Sequence, residues 1–342
     1  MKKIVENYVK NDGIFSKESN LGYWSNFNEE DQKLLFEELK NNNAEKVIEE
    51  NFPQYSRMIF DPSRCLGLEL LEINKNQIGV DYGCMWGNML LYSAKKAKNM
   101  VGIDQTHDSL KFVSKRLKDD KIDNTYLIND NLRNNIDLKN QFDFSIINGV
   151  LEWIPTREKV SLKTFFEKSF KKKVQLFDPR EDQKSFLKMV NNNLKIDGKV
   201  YLSIENRYDY QHFLWKKDPH SGLMFTAYLP RFLANIYSKF KLGKSYVNYI
   251  YSKNQLVKLL QESNFKEIEV FAVFPDYRFP KKIVPLNKKF KNNFDLFPYE
   301  GTRSDFIARV FKKTRRLLDF IIFKKLNLYS LSPSFIIIAK KL

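Results

Sequence analysis

The chain of 342 residues is poor in cysteine and histidine and has no long apolar run. Its two cysteines, Cys65 and Cys84, lack the spacing of a zinc site, and two thiols in a chain of this size do not form a disulfide framework. No apolar segment follows the first residues, and no run approaches the roughly 18 apolar residues of a spanning helix. We therefore expect a cytoplasmic protein that does not cross a membrane.

Acidic residues are scarce towards the C-terminus. The formal net charge is +17, and residues 281–342 hold 15 Lys and Arg against 4 Asp and Glu. A basic surface of this kind can meet a nucleic acid, an anionic membrane or a phosphorylated substrate. A lysine-rich background composition has the same effect, so charge alone does not choose a partner.

The hydrophobic pattern changes at about residue 75. Residues 1–75 are polar with apolar positions at helical spacing, which predicts a helical N-terminal cap. From residue 77, short β-branched runs alternate with amphipathic helices, as in a parallel sheet covered on both faces. We predict that residues 76–342 form one α/β domain. The predicted strands are residues 78–83, 100–104, 125–129, 142–150, 199–205, 267–274 and 334–340.

Three stretches of this domain are too long for plain connections and are predicted to be insertions. Residues 156–180 are basic and helical in pattern. Residues 206–252 are aromatic and irregular, which is typical of a lid or pocket wall. Residues 281–333 are strongly basic and precede the last strand.

The segment VDYGCMWG, residues 80–87, ends the first strand and opens a helix. Such a turn suits a nucleotide-like ligand, because its backbone can approach closely and the helix N-terminus adds partial positive charge. A dinucleotide fingerprint requires G-x-G-x-x-G, but Met85 occupies the second glycine position and glycine returns only at Gly87. Asp81 would repel a phosphate and attract an ammonium group. The turn therefore argues against a nicotinamide oxidoreductase.

Two further acids follow the next two strands. Asp104 ends the second strand, where a carboxylate can accept hydrogen bonds from both ribose hydroxyls. Asp130 follows the third strand and is positioned to accept from an adenine amino group. Together with Asp81, these acids predict an adenosine ligand with a cationic tail.

With these residues the chain resembles the class I S-adenosylmethionine-dependent methyltransferases. The resemblance also rests on DFSIINGVLE, residues 143–152, and extends from about residue 77 to 271 with a last strand near 334–341. It implies a Rossmann-like seven-stranded sheet, last strand antiparallel, with the cofactor across the C-terminal ends of the first strands. Met85 departs from the family's usual glycine. The implied cofactor-binding residues are Asp81, Gly83, Trp86, Gly87, Asp104, Asp130 and Asn148, with the Trp86 ring facing the sulfonium.

Polar and aromatic residues are concentrated after the fifth strand. Residues 204–214 contain a Glu-Asn-Arg-aromatic sequence, and His220 begins a His-x-Gly sequence. These features, with PDYRFP at residues 275–280, resemble a subgroup of methyltransferases found alongside glycosyltransferases in surface-polysaccharide gene clusters. The resemblance implies a sugar or glycan hydroxyl as the methyl acceptor.

A general base would help such a transfer, because sugar hydroxyls hold their protons tightly. Of the three histidines, His107 is predicted to cap a helix or border the adenine, and His212 to pack in the interior. We therefore take His220 as the candidate base, with Glu205 and Glu152 as competing polar groups. A structural role for His220 stays open, and no metal is predicted.

The remaining candidates concern substrates and partners. Arg207 and Arg231, with Tyr208, are predicted to bind an anionic substrate group, although surface ion pairs would explain the arginines equally well. The basic tail favours RNA as an alternative substrate, but no RNA-binding module or Asn-Pro-Pro-Tyr motif is present. A non-catalytic binding module is the other alternative. Residues 309–325 could lie peripherally on the inner face of an anionic membrane or form a core-facing helix. The oligomeric state is left open.

Overall fold

A single mixed sheet forms the centre of the protein. The computed structural model describes residues 8–11, 13–16, 27–155, 178–214, 216–286 and 317–342. The strands are β1 (Val9–Asn11), β2 (Ile14–Ser16), β3 (Ile78–Tyr82), β4 (Asn99–Asp104), β5 (Thr125–Asn129), β6 (Phe142–Asn148), β7 (Leu194–Glu205), β8 (Phe265–Phe274), β9 (Lys282–Pro285) and β10 (Ser334–Lys341). Their order in the sheet is β1-β2-β5-β4-β3-β6-β7-β10-β8-β9.

The seven predicted strands are all present. Strands β5, β4, β3, β6 and β7 are parallel neighbours, and β10 runs antiparallel between β7 and β8. The expected total of seven is nevertheless wrong, because the sheet has ten strands. The hairpin β1–β2 pairs with β5, and β9 pairs with β8. These three additions are three or four residues long, too short to show a periodic pattern.

The helices cover both faces of the sheet. Those of the N-terminal region are α1 (Glu29–Glu38), α2 (Ala44–Asn51) and α3 (Pro53–Phe60), followed by a 3₁₀ segment, Pro62–Leu71. Helices α4 (Asn88–Lys96) and α5 (His107–Asp119) follow β3 and β4. The rest of the sheet is covered by α6 (Pro179–Asn193), α7 (Arg231–Leu242) and α8 (Lys253–Gln261).

Successive residues of the central strands enter opposite cores, which explains why these strands are apolar without alternation. Leu127 and Ile146 join the core that contains residues of α4 and α5. Their neighbours Ile128 and Ile147 join the core that contains residues of α6 and α8. The sheet is therefore a buried layer, and its strand ends are held rigidly.

The N-terminal region is not purely helical. Helices α1 to α3 build an apolar cluster, but Ile14 of the hairpin is fully buried and pairs with Leu127 at the sheet edge. The division into a cap, 1–75, and a domain, 76–342, stays a prediction. Most of the predicted insertions at 156–180 and 281–333 lie outside the described residues. Among the helices that are described, none is long and apolar enough to span a bilayer.

Candidate active site

The turn after β3 has the backbone of a ligand-binding loop. Gly83 and Gly87 have φ angles of 75° and 81°, in the left-handed region that favours glycine. Met85 also has a positive φ of 38°, an uncommon value for a residue with a side chain. Its backbone N–H donates to Asp104 Oδ2 at 2.9 Å. The methionine therefore adopts a glycine-like backbone at the position where it departs from the family pattern.

Asp104 links the glycine turn to the start of α5. Its Oδ2 accepts from Met85, and its Oδ1 accepts from the backbone N–H of Thr106 at 2.8 Å. A carboxylate can accept about four hydrogen bonds, so both oxygens keep the capacity for a hydroxyl donor. This arrangement suits the predicted ribose contact and also orders the turn itself.

Two buried acids face each other across the ends of β3 and β4. Burial, followed by the charge of Asp104, raises the pKa of Asp81 to about 8, and Arg64 opposes that shift. Burial likewise raises the pKa of Asp104. A cation placed here would relieve this repulsion, whereas a pyrophosphate would increase it. The site therefore fits the ammonium and sulfonium charges of S-adenosylmethionine, which Asp81 and Asp104 would help to hold.

Asp130 is more heavily engaged than the sequence suggests. Its Oδ2 accepts from the Tyr8 hydroxyl at 2.7 Å, and its Oδ1 accepts from Asn131 N–H and Asn134 Nδ2, each at 2.8 Å. Tyr8 immediately precedes the unpredicted hairpin, so its sequence position carried no signal of this contact. The adenine contact of Asp130 stays a prediction.

The proposed role of Trp86 does not agree with the structure. The indole is buried in the N-terminal cluster, where its ring centroid lies 5.7 Å from Phe27, 5.8 Å from Tyr55 and 5.6 Å from Phe112. Its backbone carbonyl accepts from Arg116. Trp86 thus anchors the N-terminal helices to the glycine turn, and its ring packs in that cluster rather than facing a sulfonium.

Across from the glycine turn, Glu152, Glu205 and His220 form what we call the acid–histidine cluster. Glu152 follows β6 and Glu205 ends β7, so both lie at the same sheet edge as Asp81. His220 Nε2 lies 3.4 Å from Glu205 Oε2. All three side chains offer a ligand atom within 4.8 Å of the others. The loop after β7 therefore brings His220, the predicted base, next to the C-terminal ends of β6 and β7.

The electrostatics of the cluster separate its two carboxylates. Burial, reinforced by the charge of Glu205 and opposed by His220, raises the pKa of Glu152 to about 8. For Glu205, burial favours the neutral form, but the hydrogen bond and charge of His220 outweigh it and lower the pKa. For His220, burial is outweighed by the same partner, so its pKa is raised. Glu205 and His220 therefore each favour the charged form of the other, beside a carboxyl, that of Glu152, which is largely protonated at neutral pH.

Several groups in the cluster have unused hydrogen-bonding capacity. Glu152 is fully buried, and neither of its carboxylate oxygens has a hydrogen-bond partner among the described residues. The same holds within that part of the chain for His220 Nδ1. Buried polar groups are usually satisfied, so these atoms are available to hydrogen-bond a ligand. Two carboxylates and an imidazole could also hold a divalent cation.

Two aromatic residues that the sequence did not single out border the cluster. The Tyr277 hydroxyl donates to Glu205 Oε1 at 3.3 Å. The Trp153 ring meets His220 edge to face, with centroids 4.9 Å apart. Tyr277 belongs to the PDYRFP segment, which the sequence analysis connects with substrate binding. Its contact with Glu205 could not be predicted from the sequence, because the two residues are brought together only by the fold.

The two arginines contact the protein itself, and Nη1 of Arg231 is buried without a hydrogen-bond partner among the described residues, so their contact with an anionic substrate group stays a prediction. Arg207 is buried and donates to the backbone carbonyls of Ala227 and Leu229, each at 2.9 Å. Arg231 donates to the carbonyl of Ile250 and lies 4.0 Å from the ring centroid of Tyr249. Among the described residues, neither arginine has the acidic partner of a surface ion pair, which was the alternative. Both hold the wall of the pocket in place.

The other candidates lie where the sequence suggested. His107 is the first residue of α5, and His212 is buried. Asn148 ends β6 and accepts from the Ser203 hydroxyl, and Tyr208 is exposed beside Arg207. The roles of Asn148 with the cofactor and of Tyr208 with the substrate stay predictions.

Comparison with known proteins finds a methyltransferase-domain match in part of the chain. Residues 80–168 match the family model described as a methyltransferase domain, and no curated protein matches the chain. The chain is similar to an S-adenosylmethionine-dependent methyltransferase from Thermotoga maritima, with 14% identity, coverage of 87% of this chain and 99% of the other, and a TM-score of 0.42. It is also similar to an S-adenosylmethionine-dependent methyltransferase from Methanosarcina mazei, with 14% identity, coverage of 80% of this chain and 96% of the other, and a TM-score of 0.41. A third similar structure is the complex of a methyltransferase with the Haloferax volcanii activator Trm112, with 8% identity, coverage of 87% of this chain and 98% of the other, and a TM-score of 0.48.

The matched segment, residues 80–168, contains the strand ends at which the predicted cofactor residues lie. It contains the glycine turn and the acids Asp81, Asp104 and Asp130, all at the ends of neighbouring parallel strands. The charge of the two facing acids, Asp81 and Asp104, favours a cationic ligand, and the glycine spacing does not fit a pyrophosphate. The chain is an S-adenosylmethionine-dependent methyltransferase, and S-adenosylmethionine is its cofactor.

Proposed function

We propose that the enzyme methylates a hydroxyl of a sugar or glycan intermediate in polysaccharide biosynthesis. The observation that carries the proposal is the acid–histidine cluster beside the cofactor residues. The glycine turn and the segment that leads to Glu152 are in contact. A Cβ added at Gly83 would lie 2.6 Å from Cγ2 of Val150, and Val150 is two residues before Glu152. An acceptor bound at the cluster would therefore adjoin the glycine turn.

The three segments that resemble polysaccharide-associated methyltransferases converge at this cluster. Glu205 comes from the Glu-Asn-Arg segment, His220 from the His-x-Gly segment and Tyr277 from PDYRFP. Within the fold they form one hydrogen-bonded chain, with Tyr277 and His220 each bonded to Glu205. Their convergence supports a shared role in binding the acceptor.

The cluster has the parts needed to receive a hydroxyl proton. When bound, S-adenosylmethionine supplies an electrophilic methyl carbon, and the sulfur keeps the electron pair of the broken bond. His220, once neutral, donates its Nε2–H to Glu205 and keeps the Nδ1 lone pair for the acceptor proton. Glu205 then stabilises the resulting imidazolium. The carboxyl of Glu152 can hydrogen-bond the same or a neighbouring hydroxyl.

Transfer of a labelled methyl group tests the proposal. The protein would be incubated with methyl-labelled S-adenosylmethionine and separate pools of sugar nucleotides, lipid-linked glycans and RNA. We expect label in an alkali-stable ether on a sugar. Label only in RNA would overturn the proposal.

A chelator arm tests the role of His220. If EDTA abolished turnover and a divalent cation restored it, His220 would be a metal ligand rather than the base. Unchanged turnover in EDTA is the expected result.

A further inference from the structure

Helix α7 presents an apolar stripe to solvent. Phe232, Ile236 and Phe240 are 66%, 61% and 82% exposed, and their spacing of four residues places them on one face. Ala234 and Ser238 on the inner face are buried. Isolated exposed apolar residues are ordinary, but three large ones aligned on a single helix are typical of a contact surface.

Helix α7 and the residues that flank it in the sequence carry charge of one sign. The sequence has no Asp or Glu between residues 219 and 261, whereas α7 and the turn after it carry Lys239, Lys241 and Lys244. An amphipathic helix with large apolar side chains on one face and lysines beside them binds in the interface of an anionic bilayer. The lysines complement the negative surface of such a membrane.

Other occupants fit these features less well. A second copy bound through the same face would bring two sets of lysines together, since a twofold interface repeats the same surface. A nucleic acid would account for the lysines but not for the aligned apolar side chains. The bilayer accounts for both.

The position of α7 would place the active site near such a surface. Arg231 at its first turn packs on Tyr249, and the loop before it carries His220. Neighbouring Asn248 donates to the backbone carbonyl of Glu152 at 2.9 Å. The helix and the acid–histidine cluster therefore belong to one packed unit.

We propose that α7 docks the enzyme on an anionic membrane surface, with Phe232, Ile236 and Phe240 in the acyl boundary and the lysines at the headgroups. Docking does not depend on the identity of the methyl acceptor. It is also distinct from the basic segment 309–325, most of which lies outside the described residues.

Vesicle co-sedimentation of the full chain tests this docking. We expect binding to vesicles of phosphatidylglycerol and phosphatidylcholine, and little binding to phosphatidylcholine alone. The variant I236S/F240S should bind about tenfold or more weakly, because it removes two inserted side chains. The variant K241Q/K244Q should lose about fivefold per lysine on the anionic vesicles.

The matched control is Ile196→Ser, which changes a residue that is 77% exposed on β7, away from α7. It should bind vesicles as the unchanged protein does, and each variant should keep its affinity for S-adenosylmethionine as evidence of folding. Absence of binding to anionic vesicles would overturn the proposal. So would an equal loss in the control, or a dimer in light scattering that I236S/F240S abolishes while vesicle binding persists.

Discussion

The two sides of the active site are held in different ways. On the cofactor side, Asp104 and Asp130 accept hydrogen bonds from backbone amides and side chains around their own turns. On the acceptor side, Glu152 has no hydrogen-bond partner in the described part of the chain, and His220 has one unused nitrogen. The cofactor side is therefore preorganised by contacts within the protein, whereas the proposed acceptor side keeps unused hydrogen-bonding groups.

The largest expected effect separates the chemistry of the two sides. His220→Gln should lower kcat by about two to three orders of magnitude, because it removes the proton acceptor. The affinity for S-adenosylmethionine should stay within about twofold, since His220 contacts Glu205 and Trp153 rather than the cofactor residues. Initial rates and titration calorimetry measure the two quantities.

The same substitution at His212, which is buried outside the cluster, is the control for His220. It should leave kcat close to that of the unchanged enzyme. Full turnover in the His220 variant would remove it from the mechanism and break the distinction between the two sides.

A somewhat smaller effect is expected on the cofactor side. Asp104→Ala should weaken S-adenosylmethionine binding by about a hundredfold, because it removes the charge-assisted hydrogen bond from Met85 N–H that orders the turn, a bond worth about 1.5–3 kcal/mol. Asp143→Ala is the matched control, since Asp143 lies at the opposite end of the strands, bonded to Ile78 N–H and Lys195. Calorimetry on both variants gives the comparison. Equal affinities would mean that the turn does not need Asp104.

The smallest effect concerns stability and pH. The pKa of Glu152 is about 8 in the fold against an ordinary 4.5, so its ionisation costs stability increasingly as pH rises from 4.5 to 8. Glu152→Gln stays neutral, and its Tm should exceed that of the parent by about 3–6 °C at pH 8 and by little near pH 4.5.

Glu205→Gln should have the opposite sign. The pKa of Glu205 is lowered in the fold, so its ionised form contributes stability above its unfolded pKa, and that contribution is lost as pH falls through its folded pKa. The Gln variant should therefore melt below the parent at neutral pH. Thermal melts of both variants across pH 4.5–8 measure this. A shift of the same sign in both would contradict the separation of the two carboxylates.

Much of the cofactor side could be predicted because its signals are local. Each central strand is a short β-branched run, and Asp81, Asp104 and Asp130 stand at or just beyond strand ends that such runs define. Partners from distant segments could not be predicted. Tyr8, just before a three-residue strand, donates to Asp130, and the N-terminal helices enclose Trp86.

The arginines also show that partners from distant segments could not be predicted. Their residue type predicts an anion as partner, but in the fold Arg207 donates to two backbone carbonyls and Arg231 donates to one. A guanidinium donates equally well to a carbonyl or to a carboxylate. Only the path of the loop after β7 decided whether each guanidinium binds a carbonyl or a carboxylate.

By itself the sequence determined the parallel sheet, the glycine turn and the cationic ligand, because residue spacing within single βα units carries that information. Only the tertiary structure decided that Glu152, Glu205 and His220 meet. Parallel strands end at one edge of the sheet, which joins Glu152 to Glu205, but the return of His220 depends on packing of the loop after β7. The position of the candidate base therefore depends on that packed loop, whereas the cofactor site depends on the strand ends.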